Sequence, residues 1–136
     1  MADPQLVGDD GERGSAVVEF VLVSVLIVVL MLAVLQVAVY VHVRNVVTAS
    51  AQEGARYAAN ADVPVADGAA RTSEIVAAAT TEGTAAGLTC TSTEELDDTG
   101  LTLVVVRCTG AVPTLLAGLG DLLPVDVTGR AVREGA

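Results

Sequence analysis

One stretch of the chain concentrates residue types that could do chemistry: Arg13-Gly14-Ser15-Ala16-Val17-Val18-Glu19-Phe20. It sets a glycine where polar sequence gives way to apolar sequence, and a lone carboxylate five residues later at the head of a long uncharged run. A carboxylate at the start of a membrane helix is costly unless a cation meets it. Hydrolysis of the Gly14–Ser15 peptide bond would create such a cation, the new α-amino group of Ser15. In a bundle of copies, Glu19 of one subunit could then neutralise the amine of its neighbour. The position near a helix N-terminus also suits a negative charge. The plainer alternative is a Glu19 that rests at the membrane interface and a Gly14 that is ordinary linker. A G-x-x-x-x-E pattern is common by chance; its coincidence with the start of the apolar run gives it weight.

Three further groups of reactive or ligating residues lie in the chain. Cys90 and Cys108 both follow the apolar run. Two cysteines in an exported domain read as a disulfide, since a metal site would want more ligands. Such a bridge would enclose about 17 residues and contribute roughly 3 kcal/mol on the chain-entropy estimate. Two reduced thiols are the alternative. Glu94, Glu95, Asp97 and Asp98 make an acidic loop that could hold Ca²⁺, but their spacing is not that of a helix-loop-helix calcium site. A solvated hairpin loop is the simpler reading. His42, the single histidine, stands without partner ligands in sequence and reads as an interfacial residue.

Composition removes several classes of function. Seventeen carboxylates stand against seven arginines, giving a net charge of −10; a nucleic-acid partner would need a basic stripe to neutralise phosphates. With no histidine beyond residue 42 and both cysteines accounted for, an enzyme is not expected, nor a cofactor, a bound metal or a small-molecule substrate. The apolar fraction is 52%, yet there are only three aromatic residues, two Tyr and one Phe. The excess is valine, leucine and alanine concentrated between Val17 and Val47, the bias of a membrane span joined to an alanine-rich domain.

Those residues must be positioned by a small number of elements. Met1–Gly14 is polar and cannot bury a face, so it reads as a disordered leader. From Phe20 to Val41 about 22 residues pass without a charge, roughly 33 Å of helix and enough to cross a hydrocarbon core. The span is placed at about residues 18–43, with Tyr40 and His42 at the depth usual for amphipathic side chains. Ala49-Ser50-Ala51 has the small-x-small form of a signal-peptidase site, but the apolar stretch is too long, its leading flank is acidic, and Arg44 intervenes. A retained helix is therefore favoured. It should continue to about Asn60, because no proline interrupts it before Pro64. A helix over 15–60 would be roughly 69 Å long. Val47, Ala51, Gly54 or Ala55, and Ala58 form a small-residue stripe that lets another backbone approach. Gln52, Glu53 and Arg56 are expected opposite it.

Residues 61–136 read as a small α+β head. Asp67–Ala86 is an alanine-rich helix with Gly87 as its C-cap. Leu88–Ser92 is a first strand and Thr93–Gly100 a polar loop. Leu101–Thr109 is apolar on both faces and so a central strand. Placing Cys90 opposite Cys108 centres the hairpin near Thr99, beside the Asp98–Gly100 turn signal. Val112–Leu123 is a short helix or packed loop. Val125–Arg133 alternates, with Val125, Val127, Gly129 and Ala131 on the dry side.

With these residues in view, a resemblance can be stated. Gly14-Ser15-Ala16-Val17-Val18-Glu19-Phe20 resembles the prepilin peptidase motif of the type IV pilin superfamily. Arg44-Asn45-Val46-Val47 followed by Ala51-Gln52-Glu53-Gly54-Ala55-Arg56 resembles the TadE-like family of minor pseudopilins, which belong to tight-adherence (Flp) pilus systems. The likeness is specific over about residues 13–60 and architectural beyond. It implies a cleavable leader over 1–14, cut by a membrane prepilin peptidase so that Ser15 becomes the mature N-terminus. It implies that Glu19 and Phe20 serve assembly or processing, and that Glu53, Gly54 and Arg56 are family positions on the helix. The partners implied are the membrane, the peptidase, other pilins or pseudopilins and the pilus assembly platform. The location implied is a single pass of the cytoplasmic membrane with the head outside, open to incorporation in a pilus used for cell adhesion. The leader departs from the pattern in carrying four carboxylates and only Arg13, where such leaders are usually basic. An uncleaved single-pass anchor with a partner-binding head facing the envelope is the second reading.

Overall fold

The computed structural model describes residues 9–112 and 123–135. The order is α1 (Asp9–Ala58), α2 (Ala66–Ala79), α3 (Glu82–Ala86), β1 (Leu88–Leu96), β2 (Thr102–Val112) and β3 (Leu123–Val132). This is an α+β chain, with a long apolar N-terminal helix and a three-stranded antiparallel sheet of order β1-β2-β3. The chain divides into two compact units, one ending at Gln36 and one beginning at Val37.

α1 begins at Asp9, ahead of where a disordered leader was expected to end. The carboxylate of Glu12 falls in its first turns, where acidic groups offset the positive end of the helix dipole. α1 ends at Ala58, ahead of Pro64 as expected. The expected single helix over 67–86 is two helices. Thr80 is extended (φ −133°, ψ −175°), its hydroxyl donates to the Val76 carbonyl oxygen at 2.7 Å, and Thr81 then caps α3 by accepting from the Thr84 amide. Threonines that bond to nearby backbone compete with helix continuation, which accounts for the break.

In the second unit the sheet lays one face on α1 and α2. Val43, Val47, Ala51 and Ala55 of α1 meet Val106, Cys108, Val112, Val125 and Val127 of the sheet, with Val76 of α2. Burying each valine contributes about 1.5–3 kcal/mol. β2 is the central strand: Cys90 pairs with Cys108 and Ser92 with Val106 on one side, Cys108 with Val127 and Val106 with Gly129 on the other. β1 runs on to Leu96, so Glu94 and Glu95 lie in a strand rather than in the expected loop. The turn needs only Asp97 to Leu101. The Asp97 amide donates to the Leu101 carbonyl oxygen (2.9 Å), the Gly100 amide donates to that of Asp97 (3.0 Å), and Gly100 takes φ +85°. β3 shows the expected alternation: Val125, Val127 and Gly129 are buried, while Asp126, Thr128 and Arg130 are exposed. Most of the apolar stretch expected between Val112 and Leu123 lies outside the described residues; its two end residues pair with each other.

Candidate functional site

In the first unit, Gly14, Ser15, Glu19 and Phe20 are all exposed on α1. Ser15 and Glu19 are four apart and share one face of the helix. Nothing lies within 4 Å of where a Gly14 side chain would start, so no packing within the described chain demands a glycine there. The apolar residues that follow, among them Val17, Leu22, Leu26, Leu30 and Val34, are 55–70% exposed. A helix this apolar with no protein over it is long enough to cross a membrane.

The second stretch singled out from sequence belongs to the second unit and separates into two roles. Ala51, Gly54 and Ala55 are buried and serve packing. A Cβ on Gly54 would overlap the Thr72 hydroxyl and crowd the Gly68 carbonyl. A Cβ on Gly129 would overlap the backbone of Ala51 and Gln52. The backbones that the small-residue stripe admits are therefore those of α2 and β3 in the same chain. Gln52 is not on the far face as expected: its Nε2 donates to the Arg130 carbonyl oxygen (2.6 Å) and its Oε1 accepts from the Arg130 amide (3.2 Å). The side-chain amide thus replaces a strand partner at the edge of β3, a bare edge otherwise being open to pairing. Glu53 and Arg56 are exposed and, among the described residues, form no ion pair.

Cys90 and Cys108 are bonded to each other across β1 and β2, with Cα atoms 4.1 Å apart and Cys108 fully buried. The acidic hairpin is built for itself. One oxygen of Asp97 accepts from the Thr99 amide (2.8 Å), the Thr99 hydroxyl (2.6 Å) and the Leu101 amide (3.0 Å). The Thr99 hydroxyl above all, then the Leu101 amide, hold the Asp97 carboxyl below its ordinary value. Glu94 pairs with Arg133 at 3.0 Å. Among the described residues no group of three or more His, Cys, Asp or Glu could hold a metal ion. On the opposite face of the sheet Arg107 grips Asp126 with two bonds, 3.0 and 2.6 Å; that hydrogen bonding lowers the Asp126 carboxyl and raises the guanidinium.

Three residues that sequence reasoning passed over tie the second unit together. Arg133 donates to the carbonyl oxygens of Ala58 (3.3 Å) and Val63 (3.2 Å). It supplies a side-chain donor to the last carbonyl of α1 and adds its positive charge to that of Arg56 in the last turn. Ser92 of β1 donates to the Val65 carbonyl oxygen (2.6 Å) and accepts from the Ala69 amide (3.2 Å). It caps α2 from a distant strand, where the local Val65 cannot. The Thr72 hydroxyl, fully buried, donates toward the carbonyl oxygens of Gly68 (2.8 Å) and Ser50 (3.3 Å). In the sequence, Gly54 in the small-residue stripe and Gly129 in the dry column of an alternating strand signal the close packing of this unit.

Comparison with known proteins adds one positive finding. A family model described as TadE-like protein matches residues 14–56, the family that the sequence resembles. The match starts at Gly14, takes in the exposed apolar helix and stops at Arg56. No curated protein and no solved structure matches the chain. The match covers under half of the chain; together with the apolar helix it supports a membrane-anchored protein.

Proposed function

From the TadE-like match over residues 14–56, we propose that this chain is a minor pseudopilin of a tight-adherence pilus or a related secretion machine. A prepilin peptidase cuts after Gly14, Ser15 becomes the N-terminus, and residues 1–14 are discarded. The mature chain stays in the cytoplasmic membrane with its head outside, where other pilins and the assembly platform are its partners. The observation that carries the reading is the coincidence of three features: a match beginning at Gly14, Glu19 one turn from Ser15 on an exposed face, and a lipid-length apolar helix directly after them. Glu19 has a task in this scheme. The α-amino cation freed at Ser15 gives a buried carboxylate its counter-charge in a packed bundle, which offsets the cost of placing it at the head of a membrane helix. The scissile bond lies in the first turns of α1, where helix ends fray most easily. Gly11 and Gly14 weaken those turns further.

The test is the N-terminal mass of the membrane-extracted protein with the peptidase present. Wild type should begin at Ser15, and a bulky replacement such as Gly14→Leu should leave the chain uncut. Glu19→Ala should insert and be cut but fail to enter assemblies. One observation favours the uncleaved anchor instead: α1 runs unbroken from Asp9 through Gly14, with the leader side of the bond already helical. A wild-type mass that includes Met1 or Ala2 would establish that second reading and end the first.

A further inference from the structure

We propose that the cleft between α1 and the α2–α3 corner is a lipid-contact site, which takes the glycerol–acyl junction of a phospholipid and seats this end of the head on the bilayer. The cleft has a volume of about 280 Å³. One wall is apolar, made by Val39, Val43 and Ala79. The other carries polar groups from His42, Thr81 and Thr84, with Thr80 beside them. That division matches a lipid where its chains join its glycerol backbone. The described residues lining it include no carboxylate and no guanidinium, in a chain of net charge −10.

The level of the cleft on α1 supports this occupant. Val37, Val39 and Val41 are exposed, whereas Val43 is 4% exposed and Val47 fully buried. The helix therefore passes from bare apolar surface to protein-covered surface at the residues that line the cleft. The Tyr40 hydroxyl donates to the Pro124 carbonyl oxygen at 2.9 Å, which brings the start of β3 to the same level. Tyrosine and histidine are side chains suited to the membrane–water boundary. Hydroxyl accounting leaves a donor for the ligand. Thr81 and Thr84 share one bond of 2.9 Å, which uses one of their two protons; the other can reach a phosphate or ester oxygen. The His42 ring N–H is a second donor. Thr80 is committed to the Val76 carbonyl oxygen.

This inference rests on the reading of α1 as a membrane span, and its test separates the two. The chain has no tryptophan, so single substitutions give unique fluorophores. Ala79→Trp and Thr81→Trp report on the cleft from two elements at exposed positions, Val28→Trp on the apolar run and Asp98→Trp on the distant hairpin. Each full-length variant, its fold checked by far-UV circular dichroism, is placed in phosphatidylcholine vesicles brominated near the glycerol end or near the chain ends. Ala79→Trp and Thr81→Trp should lose emission to the shallow bromines and Val28→Trp to the deep ones, with Asp98→Trp unaffected by either. If Val28→Trp is quenched while both cleft reporters behave like Asp98→Trp, the lipid site is wrong and the anchor stands. If Val28→Trp is not quenched, the anchor reading itself fails, and the lipid site with it.

Discussion

Replacing Gly54 with alanine adds one methyl group where α1 meets α2. In an exposed helix the change would stabilise by about 1 kcal/mol, through the conformational freedom that glycine must give up on folding. Here the new Cβ overlaps the Thr72 hydroxyl and lies 2.5 Å from the Gly68 carbonyl oxygen, and overpacking of this kind costs about 1–3 kcal/mol. Moving Thr72 aside also disturbs its bonds to Gly68 (2.8 Å) and Ser50 (3.3 Å), a further loss of about 1 kcal/mol. The net expectation is a destabilisation of about 1–3 kcal/mol, or a fall in Tm of roughly 5–20 °C for a domain near 100 residues. Thermal unfolding in detergent, followed by circular dichroism with the disulfide intact, measures it. Adding Thr72→Ala should recover part of the loss, because the hydroxyl is removed, but not all, because the Gly68 carbonyl remains. An unchanged or raised Tm for Gly54→Ala alone would refute the close approach of the two helices.

Further outcomes follow from the contacts of the head. Arg133→Ala should cost about 1.5–3 kcal/mol, since it strips charge-assisted donors from the Ala58 and Val63 carbonyls; hydrogen exchange at the end of α1 should quicken, and a protected helix end would count against it. Cys108→Ala should lower stability by about 3 kcal/mol on the loop-closure estimate for a bridge of sequence separation 18, read as a lower urea midpoint against the oxidised protein. The hairpin turn should loosen in acid. The Asp97 carboxyl is lowered in the fold, so the unfolded chain takes up its proton first. The turn's contribution is therefore full above the ordinary carboxylate range and is lost as pH falls through the lowered value. Amide exchange at Thr99 and Leu101 should rise over that window in wild type, and Asp97→Asn should remove the pH dependence.

Features that rest on local pattern were legible in the sequence. The hairpin register followed from two cysteines placed symmetrically about an Asp-Thr-Gly turn, and the alternation of β3 from its valines and its glycine. The end of α1 followed from Pro64. What escaped notice depends on partners far apart in the chain. Gln52 looked like a solvent-facing helical residue because nothing nearby reveals that it clasps the main chain of Arg130, 78 positions away. Ser92 and Arg133 look like ordinary strand polar residues, yet each completes the end of a helix. The small-residue stripe was correctly read as a close-packing face, but sequence alone cannot say whose backbone fills it. In the candidate site, Gly14 and Glu19 were legible from their position at the start of the apolar run. The exposure of Glu53 and Arg56 opposite buried Gly54 was legible too; only the turn of Gln52 toward β3 needed the fold.

β3 closes the fold on its first helix. It presents Gly129 to Ala51, its Arg130 main chain to Gln52, and, just beyond it, the Arg133 guanidinium to Ala58 and the Glu134 amide to Ala59 (2.8 Å). A ribosome delivers the two far apart in time: α1 emerges well before β3. Until β3 arrives, Val47, Ala51 and Ala55 lack part of their cover, and the chain can form a hairpin of β1 and β2 but not the finished head. The cover over Ala51 and the clasp on Gln52 therefore close only once β3 has been made. Folding of this unit is thus sequential along the chain, with β3 as the latch on α1.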